Sequence, residues 1–183
     1  MKNPNIKIFA VSGKAQHGKD TFAKILSEEL TNRGYRVLLI HYADLLKFIC
    51  RSLFNWDGQK DEQGRHILQY VGTDVVRNER PDYWVEFVID MIELFGENWD
   101  YVIIPDTRFP NEIDRLKEHF NNVKYIRVIR PNFESTLTEE QKKHPSETSL
   151  DAICPDVEVT NGGTIEDLKI LIKEFVENEL NYG

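Results

Sequence analysis

Apolar and polar positions follow two patterns along this chain, and their alternation predicts strands separated by helices. Continuous apolar runs such as Arg36–His41 are typical of strands buried in a parallel sheet. Apolar residues at helical spacing, such as Phe22, Ile25 and Leu26, indicate amphipathic helices. The predicted strands cover about Lys7–Ser12, Arg36–His41, Tyr101–Pro105, Val123–Ile129 and Val157–Thr160.

Helical patterns fill the intervals between these strands, which favours a parallel sheet covered on both faces. We therefore predict one α/β domain over residues 1–183, a three-layer α/β/α sandwich with a central parallel sheet of about five strands. Residues 44–95 form a helical region within it, and residues 131–149 are polar and without clear periodicity, which suits a mobile lid. The predicted helices cover about Lys19–Asn32, Asp44–Phe54, Arg65–Asn78, Tyr83–Phe95, Pro110–Phe120 and Thr164–Glu179.

Composition and charge narrow the class of protein. The 183 residues are 40% hydrophobic and 30% charged, as in soluble globular proteins. The net charge of −8 argues against a general nucleic-acid binder, which would present a basic face. No membrane span is expected, since no stretch approaches the roughly 20 apolar residues that one needs. No signal peptide is expected either, since Met1–Asn5 leads straight into the first strand. Two cysteines, Cys50 and Cys154, make neither a disulfide framework nor a metal cluster, so we expect a cytoplasmic protein.

The segment between the first strand and the first helix carries the clearest chemistry. Its sequence, Gly-Lys-Ala-Gln-His-Gly-Lys-Asp-Thr, fits the phosphate-binding pattern G-x-x-x-x-G-K-[ST] except at Asp20. Glycines let backbone N–H groups turn around an anion, the helix N-terminus adds its dipole, and Lys19 adds a full positive charge. We expect this segment to bind a nucleoside triphosphate; the structural alternative is a tight turn. The expected phosphate contacts are Gly13, Lys14, Ala15, Gln16, His17, Gly18, Lys19, Asp20 and Thr21.

Two carboxylates are candidates for holding Mg²⁺ beside these phosphates. Asp20 stands where a hydroxyl residue normally reaches the metal, and it could bind the ion directly or through a water molecule. Asp106 follows the strand Tyr101–Pro105, like the acidic strand end that holds Mg²⁺ in phosphate-loop enzymes. Ligands bind at the carboxyl ends of the strands in such sheets, so Asp44, Asp106 and the loop should share one cleft.

Other charged candidates each have a structural alternative. Asp44 could take part in phosphoryl transfer or cap the following helix, and Lys47 could contact a phosphate or lie solvated. Arg108 would point into the cleft, unless it forms a surface salt bridge with Glu112. Arg130, at the exit of the fourth strand, could stabilise charge on the transferred phosphoryl group when the lid closes.

The helical region 44–95 offers groups suited to a nucleotide-sized acceptor. Arg77 can fork to a phosphate, because a guanidinium donates two parallel hydrogen bonds. Trp84 could stack on a base or simply pack in the core, and Gln69 could recognise a base edge. The segment His144–Glu147, at the far end of the lid, has no spacing that suggests a hydrolytic triad or a zinc site.

Several motifs, spread from the first strand to the last helix, together carry a resemblance to a known family. They are residues 12–21, 43–47, 68–74, 83–85, 104–112 and 144–147. In these motifs the chain resembles the phage-type deoxynucleoside monophosphate kinases, which have a P-loop NTPase (nucleoside monophosphate kinase-like) fold. The Gly-Lys-Asp variant of the loop is also similar to that of animal-type phosphomevalonate kinases. Residues 156–164 resemble the adenine-side loop of dephospho-coenzyme A kinases.

The resemblance implies ATP-dependent, Mg²⁺-assisted phosphorylation of a deoxynucleoside 5′-monophosphate to the diphosphate, with the base left open. It makes Asp20 an expected variant and favours the turn at Asn161 and Gly162 as the adenine contact. The expected partners are small-molecule nucleotides, and a homodimer is one possible oligomeric state. The expected location is the cytoplasm, which is the host's cytoplasm if a phage encodes the protein. The predicted catalytic residues are Lys19, Asp44, Arg108 and Arg130. The predicted acceptor-site residues are Asp44, Lys47, Gln69, Arg77, Trp84, Asp106, Arg108 and Glu112.

Two other functions remain compatible with the sequence. One is a kinase for another small acceptor, dephospho-coenzyme A or phosphomevalonate. The other is a nucleotide-binding switch that never transfers phosphate. The chain has acidic and basic groups at several strand ends and a lid-like segment. Nucleotide binding alone does not require these features, so we favour the kinase.

Overall fold

A parallel sheet of five strands forms the centre of the computed structural model, which describes residues 5–59 and 61–182. Numbered in chain order, β1 to β5 are Lys7–Ser12, Val37–Leu39, Tyr101–Ile104, Val123–Ile129 and Val157–Thr160. Across the sheet they lie in the order β2-β3-β1-β4-β5, and all neighbours run parallel. The predicted five-stranded parallel sheet is confirmed.

Helices cover both faces of this sheet. In chain order, α1 to α8 are Lys19–Asn32, Ala43–Leu53, Glu62–Gln69, Tyr83–Phe95, Pro110–His119, Glu139–Lys142, Pro145–Thr148 and Ile165–Tyr182. On one face α1 and α8 bury Phe22 and Ile172 against the strands, and on the other α4 and α5 bury Ile89 and Leu116. The three-layer α/β/α architecture is therefore confirmed. No helix in the described part of the chain has both the length and the hydrophobicity to cross a membrane.

The central strand β1 determines where the functional residues meet. It lies between β3 and β4, with Ala10 paired to Ile104 on one side and to Tyr125 on the other. Five of its six residues are buried, because neighbouring strands and both helical layers surround it. The carboxyl ends of β1, β3 and β4 thus lie side by side, and the segments that leave these strands begin near one another.

The second strand is shorter and less buried than its apolar sequence predicts. The prediction of a buried strand over Arg36–His41 is wrong in extent, because only Val37–Leu39 pair with β3. This strand lies at the edge of the sheet, so one side has no neighbour, and Leu39 is 37% exposed. Its preceding residue, Arg36, instead bonds to Asp100 through its backbone N–H and its guanidinium group. An apolar run alone does not distinguish an edge strand from a central one.

The predicted helix Arg65–Asn78 begins earlier and changes character midway. It starts at Glu62 in α3 and continues after Gln69 as a π-helix over Tyr70–Arg77. Within this wider turn, Gly72 lies against α2 so closely that a Cβ atom there would come within 2.7 Å of a Leu46 methyl carbon. π-helical turns are rare and frequently occur at functional sites. Here the π-helix ends on Arg77, one of the predicted acceptor-site residues.

The polar segment 131–149 contains two helical turns that its sequence did not predict. They are α6 and α7, each four residues long. The Thr138 side chain accepts a hydrogen bond from the Gln141 N–H, and the His144 side chain accepts one from the Ser146 N–H. Each turn is therefore closed by its own N-cap, which needs no hydrophobic periodicity.

Candidate active site

The phosphate loop joins β1 to α1 in a backbone path that requires its two glycines. Gly18 has a positive φ of 90°, and a Cβ atom there would come within 2.4 Å of the Asn161 side-chain nitrogen. A Cβ at Gly13 would come within 2.7 Å of the Val128 carbonyl oxygen. Gln16 also has a positive φ, 65°. Only residues without a side chain fit at the two glycine positions, and this curled path is what turns N–H groups towards an anion.

Lys19 brings a nearly buried positive charge to the base of the loop. It is 8% exposed, and burial lowers the pKa of its ammonium group, with the charge of Arg108 acting in the same direction. The carboxylates of Asp20, Glu147 and Asp106 oppose this shift. The ion pair between Lys19 Nζ and Asp20 Oδ2 is long, at 3.9 Å. A buried cation without a close counter-ion is well suited to an anionic ligand, which would supply the missing charge.

A cavity of about 430 Å³ opens between the phosphate loop and the turn that follows β5. Asn161 lies between the two elements, and its side-chain N–H donates to the His17 carbonyl at 3.0 Å. Gly162 packs beside Pro131, whereas its neighbours on either side line the cavity. The turn predicted to contact adenine therefore lies next to the loop. The lining residues are Gln16, Gly18, Lys19, Asp20, Thr21, Arg130, Asn161, Gly163, Thr164, Ile165 and Leu168.

The two predicted metal ligands differ in their surroundings. The side chain of Asp20 is 72% exposed at the rim of the 430 Å³ cavity. Asp106 instead caps α2, because its two oxygens accept the N–H groups of Tyr42 and Ala43, both at 3.0 Å. Within residues 5–59 and 61–182, no cluster of three His, Cys, Asp or Glu side chains could hold a metal alone. Mg²⁺ usually binds one or two carboxylates together with substrate phosphates and water, and Asp20 and Asp106 are the two candidates.

Asp44 and Lys47 form a local cluster on the first turns of α2. Asp44 accepts hydrogen bonds from the His41 N–H at 3.0 Å and from Lys47 Nζ at 3.2 Å. Burial disfavours its ionisation, but these hydrogen bonds and nearby positive charges outweigh burial and lower the pKa of the carboxyl group. Asp44 is therefore ionised at neutral pH. Asp44 lies within the first turn of α2, and Asp106, not Asp44, accepts the N–H groups at the start of this helix.

A buried carboxylate organises the residues that follow β3. Glu112 is 2% exposed; one oxygen accepts from Arg77 Nη2 at 2.8 Å and the other from the N–H groups of Arg108 and Phe109 at 2.7 and 3.0 Å. Burial raises the pKa of this carboxyl group, against the opposing effect of Arg77 and the two backbone groups. The Arg77 guanidinium also lies 3.8 Å from the centre of the Phe109 ring.

This arrangement corrects two expectations about Glu112. A salt bridge between Glu112 and the Arg108 side chain is not formed, because Arg108 Nη1 contacts Glu147 at 2.7 Å. Direct substrate contact by Glu112 is also wrong for this structure, since its carboxylate is buried and already accepts three hydrogen bonds. Glu112 holds Arg77 and the 108–109 backbone in place.

Trp84 and Gln69 occupy different environments in the helical region. Trp84 is 3% exposed among the core residues beneath the sheet, and its indole N–H donates to the Gly72 carbonyl at 3.0 Å. Its expected stacking on a base is therefore wrong in this structure, and the core-packing alternative is observed. Gln69 is the exposed last residue of α3.

The variable positions of the phosphate loop contact the segment 131–149, which the sequence did not predict. The Gln16 amide makes two hydrogen bonds with Thr136, of 2.9 and 3.0 Å. His17 Nδ1 accepts from the Arg130 N–H at 3.1 Å. The Arg130 guanidinium in turn lies 4.4 Å from the centre of the Phe133 ring. The pair Gln16 and Thr136 and the pair His17 and Arg130 are each separated by more than 110 positions in the chain, so no local pattern could have revealed them.

A family model for deoxynucleotide monophosphate kinases matches residues 43–172, about seven tenths of the 183-residue chain. The chain belongs to the deoxynucleotide monophosphate kinase family. The matched region begins after the phosphate loop, so family membership and the loop are separate observations. Both indicate the same class of protein.

Individual proteins with similar sequences carry the name of the same family. The chain is 36% identical over 115 residues to the deoxynucleotide monophosphate kinase of Enterobacteria phage T4, an alignment that covers 62% of this chain and 45% of that protein. It thus spans less than half the length of this phage relative. It is 29% identical to an Acanthamoeba polyphaga mimivirus protein provisionally assigned the same activity, over 93% of this chain and 96% of that one.

Solved structures place the fold among the phosphate-loop kinases. An APS kinase from Mycobacterium tuberculosis, in complex with AMPPNP and APS, superposes with a TM-score of 0.56. The alignment covers 95% of this chain and 99% of that one at 11% identity. At this identity the likeness concerns the fold alone, and it supports the P-loop NTPase architecture.

Proposed function

We propose that this protein transfers the γ-phosphoryl group of ATP to a deoxynucleoside 5′-monophosphate, giving the diphosphate. The observation that carries the proposal is membership of the deoxynucleotide monophosphate kinase family, with a match that lies outside the phosphate loop. The curled loop with its buried lysine supplies the second, independent half of a kinase site. The substrate class follows from the family, and the base remains to be measured.

In this proposal ATP occupies the 430 Å³ cavity. The loop N–H groups and Lys19 hold the β- and γ-phosphates, and the adenine lies near Asn161 and Gly163. Asp20, at the rim, and Asp106, at the end of β3, are the carboxylates available to a Mg²⁺ ion or its water ligands. Such an ion would neutralise charge on the phosphates when bound.

The acceptor phosphate lies between Arg77 and Arg108 in the same proposal. The Arg77 guanidinium and the Arg108 N–H both donate to the Glu112 carboxylate, and a guanidinium group is suited to forked recognition of a phosphate. Gln69, Asp44 and Lys47 lie on α2 and α3, where they could contact other parts of the nucleotide. Residues 44–95 then act as the acceptor-binding region.

Catalysis in such a site rests on positioning and charge stabilisation. Transfer proceeds through a loose, metaphosphate-like transition state that needs little covalent help from the protein. Lys19 and Arg108 provide positive charge at the loop, and Arg130, which lines the ATP cavity, provides it from the lid side. We propose that residues 131–149 act as a lid that excludes water and suppresses ATP hydrolysis.

A panel of acceptors tests the proposal. The purified chain is incubated with ATP, Mg²⁺ and, separately, the four common deoxynucleoside monophosphates, dephospho-coenzyme A and phosphomevalonate, and products are separated by chromatography. We expect a deoxynucleoside diphosphate to form together with ADP. ADP release with dephospho-coenzyme A or phosphomevalonate alone would replace the substrate class. Hydrolysis independent of any acceptor, or binding without turnover, would instead favour a nucleotide-binding switch.

A further inference from the structure

Glu147, on the short helix α7, links the phosphate loop to Arg108. One carboxylate oxygen accepts from Arg108 Nη1 at 2.7 Å, and the other accepts from the Ala15 N–H at 2.9 Å. The side chain is 9% exposed. A single buried carboxylate therefore joins a loop amide to a guanidinium group that comes from the end of a different strand.

The backbone of α7 reinforces this link. The Ser146 carbonyl accepts a second hydrogen bond from Arg108 Nη1, at 3.2 Å. The Glu147 carbonyl accepts from Lys14 Nζ at 2.5 Å, and Lys14 also contacts Asp151. His144 caps the turn by accepting from the Ser146 N–H. The carboxylate is thus presented by a closed helical turn with several anchors, and not by a free side chain.

The pairing leaves one edge of the Arg108 guanidinium available. Both hydrogen bonds of this group use Nη1, and within residues 5–59 and 61–182 its Nε and Nη2 donate to no other group. The free edge can fork to the two oxygens of a phosphate. Glu147 fixes the orientation of a long, flexible side chain while its forked edge remains open, and fixed orientation is what a transfer site requires.

We propose that Glu147 is a positioning residue of the transfer site: it holds Arg108 against the phosphate loop so that the guanidinium meets the acceptor phosphate beside the γ-phosphate. This inference rests on the proposed function. It assigns a role to a residue of the lid segment that the sequence left without one. Glu147 acts through Arg108 and does not itself touch the reacting atoms.

The competing explanation is that the carboxylate imitates a phosphate and must leave before ATP binds. The cavities argue against it. Glu147 lines a cavity of about 220 Å³ together with Arg108 and the loop residue Lys14, and it does not line the 430 Å³ cavity, whose loop residues begin at Gln16. The carboxylate therefore lies beside the 430 Å³ cavity, where it accepts from one loop N–H group, that of Ala15, and from the arginine assigned to the acceptor.

Two matched variants test this role. Glu147→Gln keeps the shape of the side chain but removes its charge and turns one accepting atom into a donor. Thr136→Val is the control, because it removes the exposed hydrogen bond from Gln16 Nε2 and so loosens the same lid-to-loop contact without touching Arg108. For each variant, kcat and KM are measured for ATP and for the acceptor that the panel identifies. Affinity for a non-hydrolysable ATP analogue is measured by calorimetry.

We expect Glu147→Gln to lower kcat/KM for the acceptor by about tenfold to a hundredfold, as for loss of a charge-assisted hydrogen bond. Affinity for the ATP analogue should stay within about twofold of the unmodified protein, and Thr136→Val should behave nearly normally. Because Glu147 acts through Arg108, adding Glu147→Gln to Arg108→Ala should cost little further activity. Thermal unfolding of each variant separates loss of fold from loss of positioning, and Glu147→Asp provides a charged variant that is too short to reach both donors.

Three results would overturn the inference. Tighter binding of the ATP analogue by Glu147→Gln would mean that the carboxylate competes with phosphates. Equal losses in Glu147→Gln and Thr136→Val would mean that any lid contact has the same effect. Full additivity with Arg108→Ala would mean that Glu147 does not act through that arginine. The proposed function fails separately, when the unmodified chain transfers phosphate to no deoxynucleoside monophosphate.

Discussion

The two sides of the candidate site use different chemical groups, backbone groups on one side and charged side chains on the other. The proposed ATP side consists of backbone groups, glycines and one buried lysine around an open cavity of about 430 Å³. The proposed acceptor side consists of long charged side chains, Arg77 and Arg108, each held by a largely buried carboxylate. Backbone geometry is shaped by neighbouring residues in the chain, whereas ion pairs join distant segments. The comparison shows that one half of a site can be local and the other half wholly tertiary.

The two sides also differ in whether their charged groups are already paired in the absence of substrate. Lys19 is buried and its ion pair with Asp20 is long, at 3.9 Å, so an anion would complete its environment. Glu112 and Arg77 already neutralise each other, and this pair belongs to the frame that orients the site. Variants on the ATP side should therefore affect activity with little effect on stability. Variants in the acceptor frame should affect stability first.

The largest effect is expected on the ATP side, for Lys19→Ala. The change removes the buried positive charge at the base of the loop, so kcat/KM should fall by about a hundredfold to a thousandfold, as for loss of one key stabilising group. Thermal stability should be retained, because a buried lysine whose pKa is lowered by burial does not gain free energy from folding in its charged form. A steady-state transfer assay and a thermal melt measure the two quantities.

Lys24→Ala is the matched control for this variant. Lys24 lies on the same helix, with its side chain 75% exposed and a 4.0 Å contact to Glu28. Its removal should leave both activity and stability nearly unchanged. Near-normal turnover by Lys19→Ala would contradict the role assigned to the phosphate loop.

The second effect concerns the acceptor frame and should appear as stability. Glu112→Gln leaves Arg77, whose side chain is only 15% exposed, without its counter-ion. The free energy of unfolding should fall by about 2–3 kcal/mol, somewhat less than the roughly 3–5 kcal/mol of fully buried pairs, because Arg77 keeps some contact with water. Urea unfolding measures it.

Two further variants sharpen this prediction. Glu118 lies on the same helix α5, and its side chain, which is 58% exposed, forms an ion pair with Arg115. Glu118→Gln removes this ion pair and should change the free energy of unfolding by less than about 1 kcal/mol. The double variant Glu112→Gln with Arg77→Met should lose less than the two single losses added together. Equal stability of Glu112→Gln and Glu118→Gln would show that the buried pair is not part of the frame.

The smallest effect is a pH dependence at the contact between loop and lid. Burial lowers the pKa of His17, with the charges of Lys14 and Arg130 acting in the same direction. In the unfolded chain a histidine has an ordinary pKa of about 6.5. At pH values between the lower pKa of folded His17 and about 6.5, the unfolded chain therefore binds more protons than the folded chain. Stability should therefore rise with pH across this window and be lost as the pH falls below about 6.5.

His17→Asn should flatten this dependence while keeping a side-chain oxygen that can accept the Arg130 N–H. Thermal unfolding midpoints between about pH 5 and pH 8 measure the slope. An unchanged slope in His17→Asn would contradict the assignment of the pH dependence to this histidine.

The elements predicted best are those whose signals are local. The phosphate loop, β4 and α4 follow their predicted bounds, because glycine spacing and hydrophobic periodicity act over a few residues. The second strand was overestimated because an apolar run carries no information about the number of neighbouring strands. Trp84 was a candidate for stacking on a base because its type permits both roles, and only the core around Gly72 decided between them.

Within the site, the residues of the loop were predictable and their partners were not. Arg77 and Glu112 lie 35 positions apart, Arg108 and Glu147 lie 39 apart, and Ala15 and Glu147 lie 132 apart. A charged residue in a sequence shows that a charge exists but not which opposite charge it meets. Glu147 lies in a recognisable motif, His144–Glu147, but its contacts with the loop after β1 and with Arg108 after β3 are a property of the tertiary structure.

By itself, the sequence determined the order of strands and helices, the phosphate loop and the resemblance to a nucleotide kinase, because periodicity, glycine positions and short motifs are properties of neighbouring residues. Tertiary structure alone decided the edge position of β2, the burial of Glu112 and Trp84, and the link from Glu147 to Arg108. The physical reason is that burial and charge pairing depend on which distant segments meet, and a parallel sheet brings together strand ends that are far apart in the chain.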